Sequence, residues 1–237
     1  CDWSSDVCSS DLKTKPSEMD FGGDEDAKSS YTEKFEASDR FLKAQKQADE
    51  NYERLKVLIK REGIPKGGAI ELQRNDPWTQ GPKLFARHCQ SCHSRIDKGG
   101  DGMVAKSPVA PNLYGIGSRD WLSGLLDPMR ISTDQYFGGT ALMDSDMHSF
   151  VTSDLADLDE DSKKILEKII IAVSAEAKLP SQAKMDATAA SDGSIAAGIA
   201  AFEEAFVVRS DSCVDCHKIG GIGDLGSAPD LTGWGSR

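Results

Sequence analysis

The chain has 237 residues, 38% of them hydrophobic and 7% aromatic, and a formal charge of −11. That length allows one large or two small domains, and the acidic balance argues for a soluble protein and excludes nucleic acid as a partner, which needs a basic footprint. The most apolar run, Ile165 to Val173, is broken by Glu167 and Lys168 and is too short to span a bilayer.

Residues 1–12, CDWSSDVCSSDL, read as the translation of a short-read sequencing adapter, and they are set aside from fold reasoning as an assembly scar. A signal or membrane segment upstream is therefore expected to be lost. Three aspartates leave with the scar, so the charge without it is −8, and four of the six cysteines remain. Residues 13–76 are expected to form a disordered tether and an amphipathic helix. Leu12 to Ser30 is polar, small and charged. Phe41, Ala48, Tyr52, Leu55 and Ile59 then recur at helical spacing up to the break at Gly63-Ile-Pro65. This helix is either an arm that packs on a partner subunit or an ordinary helix lying on its own domain.

Asp76-Pro77 opens a first module, residues 77–180. Gly81, Leu84, Phe85 and Cys89 share one helical face, with Pro82 suited to a first turn. The helix delivers His88-Cys89-Gln-Ser-Cys92-His93. Cys-x-x-Cys-His reads as a c-type haem attachment site: each thiol forms a thioether to one haem edge, and the adjacent imidazole becomes the proximal ligand. A second copy, Cys213-Val-Asp-Cys216-His217, implies two covalent haems c, with His93 and His217 on iron. His88 reads as a surface residue.

A glycine-rich loop, residues 98–102, precedes APNLYGIGSR at 110–119. A helical turn is expected from Trp121 to Leu126, then a loop through Gly138-Gly139 to Met143 and Met147. A closing helix is expected from Asp159 to Val173, its acidic start suiting the positive helix end. Residues 174–191 read as an interdomain linker, and 181–237 as linker plus a second, truncated module. In that module Ile195, Ile199, Phe202 and Phe206 form a helix face, capped by Asp192 or Ser191. APDLTGWGSR at 228–237 matches 110–119 at seven of ten positions, which marks an internal duplication. The second copy stops where the first has roughly sixty residues still to run.

Cys-x-x-Cys also occurs in zinc and thioredoxin-like sites. A thioredoxin site needs a preceding strand, which neither copy has. A zinc site would have to join two distant pairs, although each heads its own repeat. Iron-bound imidazoles usually donate their second N–H to an oxygen acceptor. Pro111 and Pro229 fall where small c-type cytochromes supply a proline carbonyl; the plainer reading is a loop breaker. Met147, in Asp146-Met-His-Ser-Phe150, has the Met-x-x-Phe form that resembles the distal loop of class I cytochromes c. It is the expected sixth ligand of the first haem, with Met143 and His148 as alternatives. No Met or His follows His217, so a second distal ligand is expected beyond Arg237 or on another chain. Arg119 and its repeat Arg237 are candidates to neutralise haem propionates through charged hydrogen bonds, and Trp121 is a candidate to donate its indole N–H to one. The acidic stretches Asp154 to Asp161 and Glu203-Glu204 read as solvated faces that also steer a basic redox partner.

The segments DPWTQGPKLFARHCQSCH, APNLYGIGSRDWLSGLLDP, YFGGTALMDSDMHSF and APDLTGWGSR together resemble the dihaem cytochrome c portion fused to cytochrome b type subunits of bacterial quinol:cytochrome c reductases. The resemblance covers roughly residues 63–237. It implies cytochrome b and Rieske-type subunits as partners, a redox partner cytochrome, and membrane association through sequence upstream. It also supports an all-α fold of tandem class I cytochrome c-like domains, the second truncated, preceded by a helical arm. The expected function is electron transfer, with no catalytic residue. Haem attachment takes place outside the cytoplasmic membrane, so the periplasmic side follows. A dihaem peroxidase and a zinc-binding interaction module are the alternatives.

Overall fold

The computed structural model describes residues 14–204, 212–224 and 226–236. The chain divides into two compact units, residues 1–84 and 85–237. Among the described residues the elements are helical apart from a two-stranded hairpin and one isolated bridge, so the fold is all-α as expected.

In the first unit, α1 (Glu25–Glu62) runs 38 residues, about 57 Å at the helical rise. It starts earlier than the sequence pattern indicates, and residues 25–30, expected in the tether, are its first turns. Asp24 causes this: its carboxylate accepts the Ala27 N–H at 2.9 Å, and Glu25 and Asp26 then face the positive helix end. Phe41 and Tyr52, expected on the apolar face, are exposed, at 58% and 60%. The buried face lies nearer the C-terminus, where Leu58 meets α2 (Ala69–Asn75) and its Leu72.

Asp76 joins these helices to the next one. Its carboxylate takes a two-point contact from Arg54, with Nε at 3.0 Å and Nη2 at 2.6 Å. It also accepts the Thr79 N–H at 3.0 Å and the Thr79 hydroxyl at 2.8 Å. With Asp76 ahead of it and Pro77 in its first position, α3 (Pro77–His88) begins five residues before Pro82. Pro82 is therefore inside the helix, not in its first turn as expected. The Arg54 guanidinium holds the Asp76 carboxyl well below the usual carboxylate range.

The second unit has one hydrophobic core. Trp121 and Leu122 on α4 (Arg119–Leu125), Val151 on α5 (Asp146–Ser153) and Ile169 and Val173 on α6 (Glu160–Glu176) share it with Phe202 on α8 (Ser194–Glu203) and with Ile219. Both halves of the duplication thus contribute to the same interior, each large side chain adding about 1.5–3 kcal/mol. The α6 helix starts where expected, with Asp159 accepting the Ser162 N–H at 2.7 Å. The α8 helix is entered through Gly193 at φ 81°, and Asp192 accepts the Ser194 N–H at 2.9 Å. Phe206, expected on the face of this helix, lies outside the described residues.

Residues 174–191 are not an extended linker. The α6 helix continues to Glu176, α7 (Ala183–Ser191) follows, and Ala177, Gln182 and Ala189 are buried. Alanine is the best helix former, so the composition that reads as a linker supports a helix once it has a surface to lie on. Gln182 fixes the turn by accepting the Arg119 N–H at 2.9 Å and donating to Ser174 Oγ at 2.9 Å. Gly198 lets α8 approach α6 closely: a methyl there would collide with the Lys168 carbonyl oxygen and sit 2.7 Å from Ala172 Cβ.

Gly198→Leu should destabilise the second unit by about 1–3 kcal/mol through overpacking, read as a lower urea midpoint. Asp76 makes the first unit acid-sensitive. Its contribution is complete above about pH 4, near the unfolded carboxyl value, and is lost as the pH falls toward the depressed folded value. Helix content followed by circular dichroism between pH 5 and pH 2 should fall less steeply in Asp76→Asn than in the parent chain.

Candidate functional site

The first motif continues directly from α3. The Cys89 N–H bonds to Phe85 O, and the Cys92 and His93 N–H groups both reach Cys89 O, at 3.0 and 2.9 Å. This turn brings His93 back so that its Nδ1 donates to Pro111 O at 2.7 Å. The bond fixes the tautomer and leaves Nε2 with its lone pair to bind iron. Behind it, β1 (Arg95–Ile96) pairs with β2 (Gly102–Met103), and the Leu113 N–H bonds to Ser94 O at 2.9 Å.

The second motif repeats these bonds. Cys213 to Asp215 form a 3-10 turn, with Ser212 and Asp215 capping each other. The His217 N–H reaches Cys213 O at 2.8 Å, and the Leu231 N–H reaches Lys218 O at 2.7 Å. His217 Nδ1 donates to Pro229 O at 2.9 Å. An Ile219–Ile222 bridge stands where the first copy has its hairpin. Pro111 and Pro229 therefore sit at the positions expected of them, as backbone acceptors for the two imidazoles.

Asn112 is a residue that sequence reasoning missed. Its Oδ1 accepts from Ile96 N and Tyr114 N, each at 3.0 Å, and its Nδ2 donates to Ile96 O and Gln135 Oε1, each at 2.8 Å. It ties the hairpin to the loop carrying Pro111. The signal was available in the repeat, where this position is Asp230, whose side chain has no N–H to donate. The second copy uses Thr232 Oγ1 to accept from Gly220 N at 2.9 Å.

All four motif thiols are free: Cys92 and Cys216 are exposed, and Cys89 and Cys213 are partly covered. Cys213 packs against the core, and burial pushes its thiol up to about 12. Among the described residues no group of three or more His, Cys, Asp or Glu is placed to hold a metal ion. The two cysteine pairs thus do not gather into a zinc site. Two thiols and one oriented imidazole per motif fit a covalent haem: Cys89 and Cys92, or Cys213 and Cys216, would anchor it, and His93 or His217 would ligate it. Bound there, haem supplies one-electron redox chemistry.

The remaining expected residues are more scattered. Met147 is on a helix, not a loop, because Ser145 caps α5 by accepting the His148 N–H at 3.3 Å. Met147 and Met143 both pack on the core. His148 is engaged at Nε2, 2.9 Å from Ser132 Oγ. Arg119, expected at a propionate, pairs through Nη2 with Asp186 Oδ1 at 2.7 Å, since the supposed linker is a helix that presents Asp186. Its Nε is buried without a partner, one donor left for an anionic group. The Trp121 indole N–H, also expected at a propionate, goes to Asn112 O at 3.2 Å. His88 is exposed, and Arg237 lies outside the described residues.

The family model for cytochrome c matches residues 78–166. The matched stretch runs from α3 into α6 and holds Cys89, Cys92, His93, Pro111 and Met147; the match supports haem-based electron transfer, and the family it points to implies covalently bound haem c. The motif at 213–217 lies outside the match. No curated protein and no solved structure matches the chain at a significant level.

In the haem-free, reduced chain, alkylation at pH 8 should label Cys92 and Cys216 first and Cys213 last, since the thiolate is the reactive form. Peptide mass spectrometry after brief exposure measures the order.

Proposed function

We propose that the chain carries two haems c, one on each motif, and passes electrons from a quinol-oxidising core of cytochrome b and Rieske-type subunits to a cytochrome acceptor on the periplasmic side of the membrane. The observation that carries the two-haem reading is the duplicated imidazole bond: His93 to Pro111 O at 2.7 Å and His217 to Pro229 O at 2.9 Å. A histidine with no metal to bind gains little from having one tautomer enforced twice by the same backbone device. Met147 is the distal ligand of the first haem, its thioether raising that potential relative to a second imidazole. The exposed carboxylates Asp157, Asp159, Glu160 and Asp161, with Glu203 and Glu204, form an acidic surface that steers a basic acceptor. The quinol-linked setting rests on the sequence blocks described above. Among the described residues no helix is long and apolar enough to cross a membrane, so on this reading the membrane anchor belongs to partner subunits or to sequence upstream.

The purified chain, matured in a periplasm, should carry two haems by pyridine haemochrome assay, and Cys213→Ser with Cys216→Ser should reduce the count to one. A parent chain with a single haem would overturn the reading. Met147→Ala should abolish the thioether-to-iron charge-transfer band and lower one potential only. In native membranes, reduction of both haems by quinol should stop when an inhibitor occupies the quinol-oxidising site of cytochrome b; reduction that continues would remove the proposed donor.

A further inference from the structure

The two copies of the repeat meet where they are equivalent. Gly117 and Gly235 occupy the same position in APNLYGIGSR and APDLTGWGSR, and both close on Ala177. A methyl on Gly117 would stand 2.8 Å from Ala177 Cβ and 3.9 Å from Gly235 Cα, and one on Gly235 would stand 3.5 Å from Gly117 Cα. Beside this seam the rings of Trp121 and Trp234 lie 5.7 Å apart, tilted by 46°.

We infer that the Trp121–Trp234 contact is the electronic bridge between the two histidine sites, an inference that rests on the two-haem reading. A short path of bonds crosses it. From His93, the Nδ1–H bond leads to Pro111 O, and the adjoining Asn112 carbonyl accepts the Trp121 indole N–H at 3.2 Å. Across the ring contact, the Trp234 backbone N–H bonds to Leu231 O at 3.0 Å, and the Leu231 backbone N–H bonds to Lys218 O at 2.7 Å, next to His217. In each transfer one electron leaves a ferrous site, which becomes ferric, and arrives at a ferric site, which becomes ferrous. No proton moves, and neither indole is oxidised.

Two features set this pair apart from ordinary core packing. The counterpart of Trp234 in the first copy is Ile116, so the repeat departs from its own pattern to place an aromatic at the seam. Trp121 is held in orientation, by Asn112 O on one side and by the edge of Tyr136, 5.4 Å away, on another.

The test compares Trp234→Leu and Trp234→Phe in the full chain with both haems attached. After photochemical injection of one electron, inter-haem equilibration should slow by about tenfold or more in the Leu variant, equivalent to about 1.4 kcal/mol in the barrier. It should stay near the parent rate in the Phe variant, while both midpoint potentials remain unchanged. Should the Leu variant not accumulate, Trp234→Met fills the space with saturated bonds and takes its place. An unchanged rate in the Leu or Met variant overturns the bridge and leaves the two-haem reading standing, whereas one haem per chain overturns both. In the haem-free chain the near-ultraviolet dichroism couplet of the paired indoles should vanish in all three variants; its absence from the parent would remove the contact itself.

Discussion

A ring nitrogen donating to a proline carbonyl is the constraint on which the second unit depends. To place Pro111 O within 2.7 Å of His93 Nδ1, the chain must leave the motif, turn through a hairpin, and come back along the imidazole. The hairpin and the bracing by Asn112 serve that return. A free imidazole can present either ring nitrogen in many directions, and one held at Nδ1 presents a single nitrogen in a fixed direction. The second copy solves the same problem with a shorter loop and a different brace, Thr232 in place of Asn112.

Two modules that each wrapped their own interior would need two cores from a modest supply of apolar side chains. The fold avoids this by sharing. Phe202 and Ile219 enter the same cluster as Trp121 and Val151, and α6 is the common wall. Close approach at Gly198 makes that wall accessible to α8. The shared interior also receives Leu231 and Trp234 from the second copy of the repeated block.

Local chemistry was legible in the sequence, and long-range partners were not. The Cys-x-x-Cys-His spacing and the acidic cap of α6 are properties of neighbouring residues, the proline acceptor recurs at the head of each repeated block, and each is found where the pattern places it. Residues 183–191 misled because alanine, serine and lysine carry no apolar period, although they suit a helix that lies on a surface. Met147 was expected on a loop because the weight of Ser145 as a cap was missed. Arg119 and Trp121 have the chemistry expected of them, but their partners, Asp186 and Asn112 O, are set by packing that no local pattern encodes. The apolar face of α1 was misplaced for a related reason: the helix is longer than the surface that covers it.

The seam of Gly117, Gly235 and Ala177 has an evolutionary consequence. A duplicated segment is ordinarily free to drift, since one copy can keep the original role while the other changes. Here the copies touch at the same position, and a side chain gained by either glycine would crowd the one Ala177 that both lean on, from a backbone at positive φ. Neither copy can be treated as a spare at that point, because both depend on the same small neighbour. The duplication thereby tied these two glycines to one neighbour when it folded back on itself, while the positions around them diverged, 116 and 234 beside the contact as well as 112 and 230.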